Sequence, residues 1–184
     1  MTNLRDTFCS FCGTRYTEAA TYPRTCTGCT TQVWANPVPV SVVLVPIVEG
    51  PTSGLLVVRR AIPPQIGKLA LVGGFLEEHE TWRQGGAREV FEETGLRIDA
   101  QTIEPLWFES SSPRPNRVML FGVAAPVSKA ALPPFQTNTE TSERGVIHGP
   151  AGVEEVLAFS THIEATQRYF AARGIAGPHA FTPA

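Results

Sequence analysis

Apolar residues along this chain cluster in short β-branched runs broken by glycine and proline, and they take helical spacing in only two places, one early and one late. Val38 to Val48 reads as a buried strand, and Leu55 to Arg60 as its hairpin partner across the turn Glu49 to Gly54. Ala61 to Gly67, with Pro63 and Pro64, is a loop that leads into a brief strand, Lys68 to Val72. Further strands are expected at Leu96 to Asp99, Ile103 to Ser110 and Asn116 to Ala125, with a turn from Ser111 to Asn116 between the last two. Val146 to His148 supplies a last strand. The early helix runs from about Trp82 to Thr94 and stops at Gly95, glycine being the usual terminator. The late one opens on a capping box, Thr161-x-x-Glu164, turns Ile163, Thr166 and Phe170 to one face and ends at Gly174. Ala131 to Gly145 holds Pro133 and Pro134, then a polar run from Thr137 to Arg144 without apolar periodicity, which predicts a functional surface loop. Residues 176–184 offer too few anchors and are expected to be a disordered tail.

The early helix carries the chemistry. At about 100° per residue, Glu89, Glu92 and Glu93 share an arc of roughly 100°, with Ala87, Val90, Phe91 and Thr94 on the opposite side. Three ionised carboxylates so close repel one another, and the arrangement costs stability unless a cation neutralises it. Hard oxygen ligands select Mg²⁺ or Mn²⁺, ions that keep waters and bind substrate phosphates. Gly85 and Gly86 inside the helix each cost on the order of 1 kcal/mol relative to alanine, and are expected to leave room near the metal.

All four cysteines lie near the N-terminus, as Cys9-x-x-Cys12 and Cys26-x-x-Cys29. In a reducing compartment two such knuckles read as a Cys₄ site for structural Zn²⁺, with two disulfides or a redox pair as the alternatives. Gly13 and Gly28 suit turns that bring backbone amides to thiolates. Few bases accompany the knuckles, so the ribbon reads as structural or docking rather than nucleic-acid binding.

Composition narrows the class further. A chain of 184 residues can bury one good core and one small appended module. The formal charge of -2, with acids and bases interspersed, provides no field for nucleic acid or anionic membrane. The longest apolar run, Val38 to Val48, is interrupted by Pro39 and Pro46 and is too short to span a bilayer. The first ten residues lack a signal-peptide core, so the cytoplasm is the expected compartment.

Read from Gly74, the spacing is Gly, five residues, Glu80, seven residues, then Arg88-Glu89-Val90-x-Glu92-Glu93-x-Gly95-Leu96, which resembles the Nudix box at every defining position. With the cysteine knuckles and the connector Trp34 to Pro37, most of the chain resembles the zinc-ribbon branch of Nudix hydrolases, including NADH pyrophosphatases and FAD/ADP-ribose diphosphatases. The resemblance implies an α/β fold, an α/β/α sandwich around a mixed sheet at residues 36–175, preceded by a ribbon at 1–35. It also implies metal-dependent hydrolysis of a nucleoside diphosphate linked to another moiety, such as ADP-ribose or FAD. Family roles make Glu89, Glu92 and Glu93 the metal ligands, with the Gly73 carbonyl assisting, and pair Arg88 with Glu80. The expected partner is thus a small nucleotide diphosphate, and a homodimer is admissible. A triphosphate pyrophosphohydrolase or a non-catalytic nucleotide sensor is the alternative.

Departures from the pattern bear on substrate. The Ser-Gln-Pro-Trp motif of NADH pyrophosphatases is missing from Arg97 to Pro113, which argues against NADH. Val72, Leu69 and His79 replace common family residues without removing a ligand. The proton acceptor is expected among the loop acids Glu140 and Glu143, with Glu143 favoured because it adjoins the following strand, and Glu92 in reserve. Arg59, Arg60 and Lys68 either neutralise phosphate or solvate strand ends. Trp107, Phe108 and Phe121 either stack a base or fill the core.

Overall fold

The computed structural model describes residues 6–18, 21–111 and 116–184, and the chain divides into two compact units, Met1–Pro37 and Val38–Ala184. In the first, β1 (Arg24–Thr25) pairs antiparallel with β2 (Gln32–Val33). Among the described residues its buried apolar side chains are Cys9, Cys26 and Val33.

The second unit runs β3 (Val38–Leu44), β4 (Pro46–Glu49), β5 (Thr52–Arg60), β6 (Leu69–Ala70), β7 (Val72–Phe75), α1 (Trp82–Thr94), β8 (Glu104–Ser110), β9 (Arg117–Val123) and β10 (Val127–Ser128). It continues through β11 (Thr141–Ile147), α2 (Val153–Val156), α3 (Ser160–Ala171) and β12 (Phe181–Pro183). One mixed sheet has the order β7-β3-β9-β8, with β3 and β9 parallel. A second has the order β10-β4-β5-β11-β12, with β6 also on β5. The run expected as a single strand from Val38 to Val48 is therefore two strands in two sheets, divided at Val45. Pro46 cannot donate to a continuing ladder, and the chain changes sheet immediately before it. The expected strand Lys68 to Val72 divides in the same way between β6 and β7.

Strand alternation builds the layers. On β3, Val40, Val42 and Leu44 join Leu55 and Val57 of β5 in a core with Tyr169 and Phe170 of α3. The intervening Val43, with Val45, Leu56 and Val58, faces a second core containing Val90 of α1. Sheets buried on both faces read as nearly continuous apolar runs, which is how β3 and β5 look in sequence.

Several local expectations give way to specific competitors. Leu96 to Asp99 is not a strand: Leu96 and Ile98 pack into the α1-side core, and Asp99 accepts a hydrogen bond from the Gln101 N–H to start a 3₁₀ turn. The Thr161 capping box does not form, because α3 already begins at Ser160 after Phe159, and Glu164 binds Arg168 instead. The buried face of α3 is His162, Ala165, Thr166, Tyr169 and Phe170, with Ile163 only half-buried. The polar run to Gly145 is half strand, since Thr141 and Arg144 are buried in β11 with hydrogen-bond partners. The tail is ordered by pairing, for Phe181–Pro183 forms β12 against Gly145 to Ile147. The expected turn from Ser111 to Asn116 falls on residues 112–115, outside the described residues. Among the described residues no helix is long and apolar enough to cross a membrane.

Candidate functional site

The start of α1 is fixed by a feature legible in the sequence that the box pattern obscures. Thr81 caps the helix by accepting from the Gln84 N–H, while the Gln84 side chain accepts from the Thr81 N–H at 2.9 Å, a complete capping box. Gly95, left-handed at φ 75°, ends the helix as expected. Phe91 is not buried: it is exposed, with the Arg97 guanidinium 3.9 Å from its ring centroid. Nor do the two glycines hold space open. A Cβ on Gly85 would lie 2.4 Å from Leu76 Cδ2, and one on Gly86 would lie 2.6 Å from Val43 Cγ2. Their role is close approach, Gly85 to Leu76 and Glu80 of the segment before the helix and Gly86 to β3, where Ser41 Oγ donates to the Trp82 carbonyl at 2.8 Å.

That seating brings the acids to β7, the edge strand of its sheet. The Gly73 N–H donates to Glu93 Oε2 at 3.2 Å, and a Cβ on Gly74 would lie 2.3 Å from Glu89 Oε1. Burial, then the neighbouring Glu89 charge, pushes the Glu93 carboxyl up to about 8. Burial also raises Glu89, against the pull of Arg88. The repulsion anticipated from helix geometry is thus present in the folded chain.

Arg88 organises this group. Its Nε and Nη2 donate to both oxygens of Glu80, at 3.1 and 2.7 Å, and its Nη1 donates to Glu89 at 2.8 Å and Glu92 at 3.1 Å. Hydrogen bonds from Arg88 hold the Glu80 carboxyl below its ordinary range. Glu80 also accepts from the Glu77 N–H, which fixes the loop before the helix. Glu92 is the most exposed of the acids around Arg88.

The two loop acids separate. Glu140 lines a cavity of about 1080 Å³ together with Glu89, Glu92 and Glu93, and its charge adds to the upward push on Glu89 and Glu93. Glu143, favoured by sequence reasoning, sits on β11 opposite Arg59, accepts from Arg59 Nε at 2.6 Å and is not among the cavity-lining residues. Proximity to the strand does fix Glu143, but on Arg59 rather than at the cavity. Glu140 is placed by Asn138, which the sequence did not single out. The Asn138 amide donates to the Glu92 carbonyl at 3.0 Å, and its oxygen accepts from the Glu140 and Thr141 N–H groups. An Asn-x-Glu turn within a polar run was the available signal.

Arg144 was likewise missed. Buried, it donates to the carbonyls of Thr94, Pro133 and Ala184, and so ties the end of α1, the loop and the C-terminus together. Of the other candidates, Arg60 lines the cavity, held by the Pro64 carbonyl. Lys68 bonds the Glu155 carbonyl outside it. Phe121 is core, with Trp107 stacked on it at 5.3 Å, and Phe108 is 73% exposed away from the cavity. His79 is exposed beside Glu77.

In the N-terminal unit the four cysteines are free thiols whose sulfurs all lie within 4.8 Å of one another. Cys9 Sγ is 3.9 Å from Cys29 Sγ, and Cys12 Sγ is 3.6 Å from Cys26 Sγ. Those separations exclude disulfides and match the edge, about 3.8 Å, of a tetrahedron with Zn–S bonds of about 2.3 Å. Amides approach the thiols as expected, from Phe11 to Cys9 and from Gly28 to Cys26. Burial works to raise the Cys9 thiol but is outweighed by backbone hydrogen bonds from Cys12 and Phe11, leaving it at about 6. The donor set fits a soft tetrahedral ion.

Comparison with known proteins agrees with this geometry. A model of the NUDIX domain matches residues 38–156. The structure is similar to a NUDIX hydrolase from Nitrosomonas europaea, at 27% identity and a TM-score of 0.68, over 94% of this chain and 96% of that one. It also resembles the NUDIX domain of Shewanella oneidensis NrtR solved with ADP ribose, at 20% identity and 0.63, over 76% and 90% of the two chains. For a MutT/nudix protein from Enterococcus faecalis the values are 20% and 0.64, this chain spanning 63% of that protein's length. With the box acids gathered at the β7 edge and the domain matched from residue 38 to residue 156, the chain belongs to the NUDIX family.

Proposed function

We propose that the protein hydrolyses the diphosphate bond of a nucleoside diphosphate linked to another moiety, ADP-ribose being the leading candidate and FAD the next, with Mg²⁺ or Mn²⁺. The observation that carries this is the convergence of Glu89, Glu92, Glu93 and Glu140 on one cavity, where two of them are forced above their ordinary range. A hard oxygen donor set short of positive charge fits a divalent cation, which would be held by Glu89, Glu92 and Glu93 with the Gly73 carbonyl. What such an ion contributes when bound is neutralisation of the phosphates and a water of lowered pKa.

The chain's own residues do the rest. Arg88 keeps Glu89 and Glu92 oriented while its other edge is locked to Glu80. Water adds across one P–O–P bridge, the phosphorus parts from the bridging oxygen, and two monophosphates leave. We assign the proton released by that water to the Glu140 carboxylate, held over the C-terminal end of α1 by Asn138. The bound ADP ribose of the Shewanella domain supports a cavity of this kind accepting that class of ligand. A structural Zn²⁺ on Cys9, Cys12, Cys26 and Cys29 completes the reading.

The test is turnover of ADP-ribose, FAD, NADH and nucleoside triphosphates with the products identified. AMP plus a second monophosphate, formed only with Mg²⁺ or Mn²⁺, is expected. Undiminished turnover in excess chelator, or pyrophosphate from triphosphates as the main product, overturns the reading.

A further inference from the structure

The cavity has an order imposed by the chain itself. Along one extended stretch, the Leu71 N–H donates to His162 Nδ1 at 3.2 Å, the Gly73 N–H donates to Glu93, Gly74 abuts Glu89, and Phe75 follows. At about 3.3 Å per residue, four steps from Leu71 to Phe75 cover up to about 13 Å, with the acids between the two ends. The His162 end holds a buried imidazole that burial lowers to about 3, so the ring is neutral. The other end differs.

There the strand register sets three apolar side chains side by side. Val40 of β3 is directly opposite Phe75 of β7 on one side and Met119 of β9 on the other, so all three point to the same sheet face, and all three line the cavity. Two residues before Met119, Arg117 projects from the same face, lines the cavity and places its guanidinium 5.5 Å from the Phe75 ring centroid. Phe75 is 53% exposed, whereas Phe121, on the same face one row deeper, is buried beneath Trp107. A phenylalanine left half in water beside the acid cluster contributes little to the core.

We propose that Phe75, Val40 and Met119, edged by Arg117, form a platform on which the nucleobase of the substrate lies, its diphosphate reaching back to Gly73 and Gly74. The occupant is a planar heterocycle: apolar surface and a guanidinium both stack on π-faces, and the platform adjoins the acids that would hold the cation for the phosphates. This replaces Trp107, Phe108 and Phe121 as stacking candidates. It rests on reading the site as a nucleotide diphosphatase, and the experiment separates the two.

Binding of ADP and of inorganic pyrophosphate to the full chain, each with Mg²⁺, is measured by calorimetry for the wild type, Phe75→Ala and Phe75→Trp. Stacking predicts that Phe75→Ala weakens ADP about 10-fold or more and leaves pyrophosphate within about twofold. In Phe75→Trp, ADP affinity is retained and the new indole's emission is quenched by ADP but not by pyrophosphate. Equal losses for both ligands in Phe75→Ala, or unchanged ADP binding there together with no quenching in Phe75→Trp, overturns the platform. If ADP binds as predicted while no diphosphate compound is hydrolysed, the catalytic reading falls and the platform stands.

Discussion

The cysteine unit and the hydrolase unit solve the same problem, holding mutually repelling ligand groups together, by opposite means. Among the described residues the cysteine unit buries Cys9, Cys26 and Val33 as its apolar core, so two of its three core residues are themselves thiol ligands. The hydrolase unit closes one core on each face of its sheets and then spends some of that stability on forcing Glu89 and Glu93 together at an edge. In the first, the sulfurs that would hold an ion make up most of the core. In the second, the core is built without those groups and holds the acids close together at its edge.

The largest expected effect would break that contrast if it failed. Cys26→Ser should abolish the one zinc per chain and unfold the N-terminal unit, because structural zinc contributes on the order of 10 kcal/mol to such modules. The hydrolase unit should keep its thermal transition and kcat. Elemental analysis with circular dichroism and turnover reads both halves, and zinc-free protein with an intact ribbon refutes the first.

Glu93→Gln should lower kcat roughly 10³-fold or more while raising the melting temperature of the metal-free protein, since it removes a charge that the fold disfavours. Loss of stability instead would mean that the core does not bear the cost supposed here. Next, Glu140→Gln should lower kcat about 10²- to 10⁴-fold with little change in metal affinity, and Glu143→Gln should lower it by less than about tenfold. The reverse order would restore Glu143 as proton acceptor. Arg144→Met should cost about 2 to 4 kcal/mol in urea unfolding, because three carbonyls lose their donor.

The last test is pH dependence. Glu93, raised to about 8, holds a proton in the folded state that the unfolded chain releases above its ordinary carboxylate pKa, so metal-free stability falls as pH rises from about 4.5 to 8. His162, lowered to about 3, works oppositely: the unfolded chain takes a proton below about 6.5, and stability falls as pH drops from there. Metal-free protein should therefore be most stable near pH 6 by thermal melting, and saturating Mn²⁺ should flatten the alkaline side only. A metal-free optimum at pH 8 or above is incompatible with the clustered acids.

Local order was legible where a short-range rule acts alone. The box helix, its stop at Gly95, the β4–β5 hairpin and the pairing of cysteine knuckles all follow from spacing within a few residues. The acids of the site were legible too, because helical periodicity places Glu89, Glu92 and Glu93 together whatever surrounds them. Only the tertiary structure decided which strand receives each half of Val38 to Val48, that Gly85 and Gly86 serve contact rather than space, and that Glu140 rather than Glu143 reaches the cavity. It alone buried Arg144 and His162, and it alone laid Phe75, Val40 and Met119 in one row. The reason is physical: helix geometry is set by neighbours in sequence, whereas strand register, burial and cavity membership depend on segments many tens of residues apart, whose pairing energies no local pattern contains.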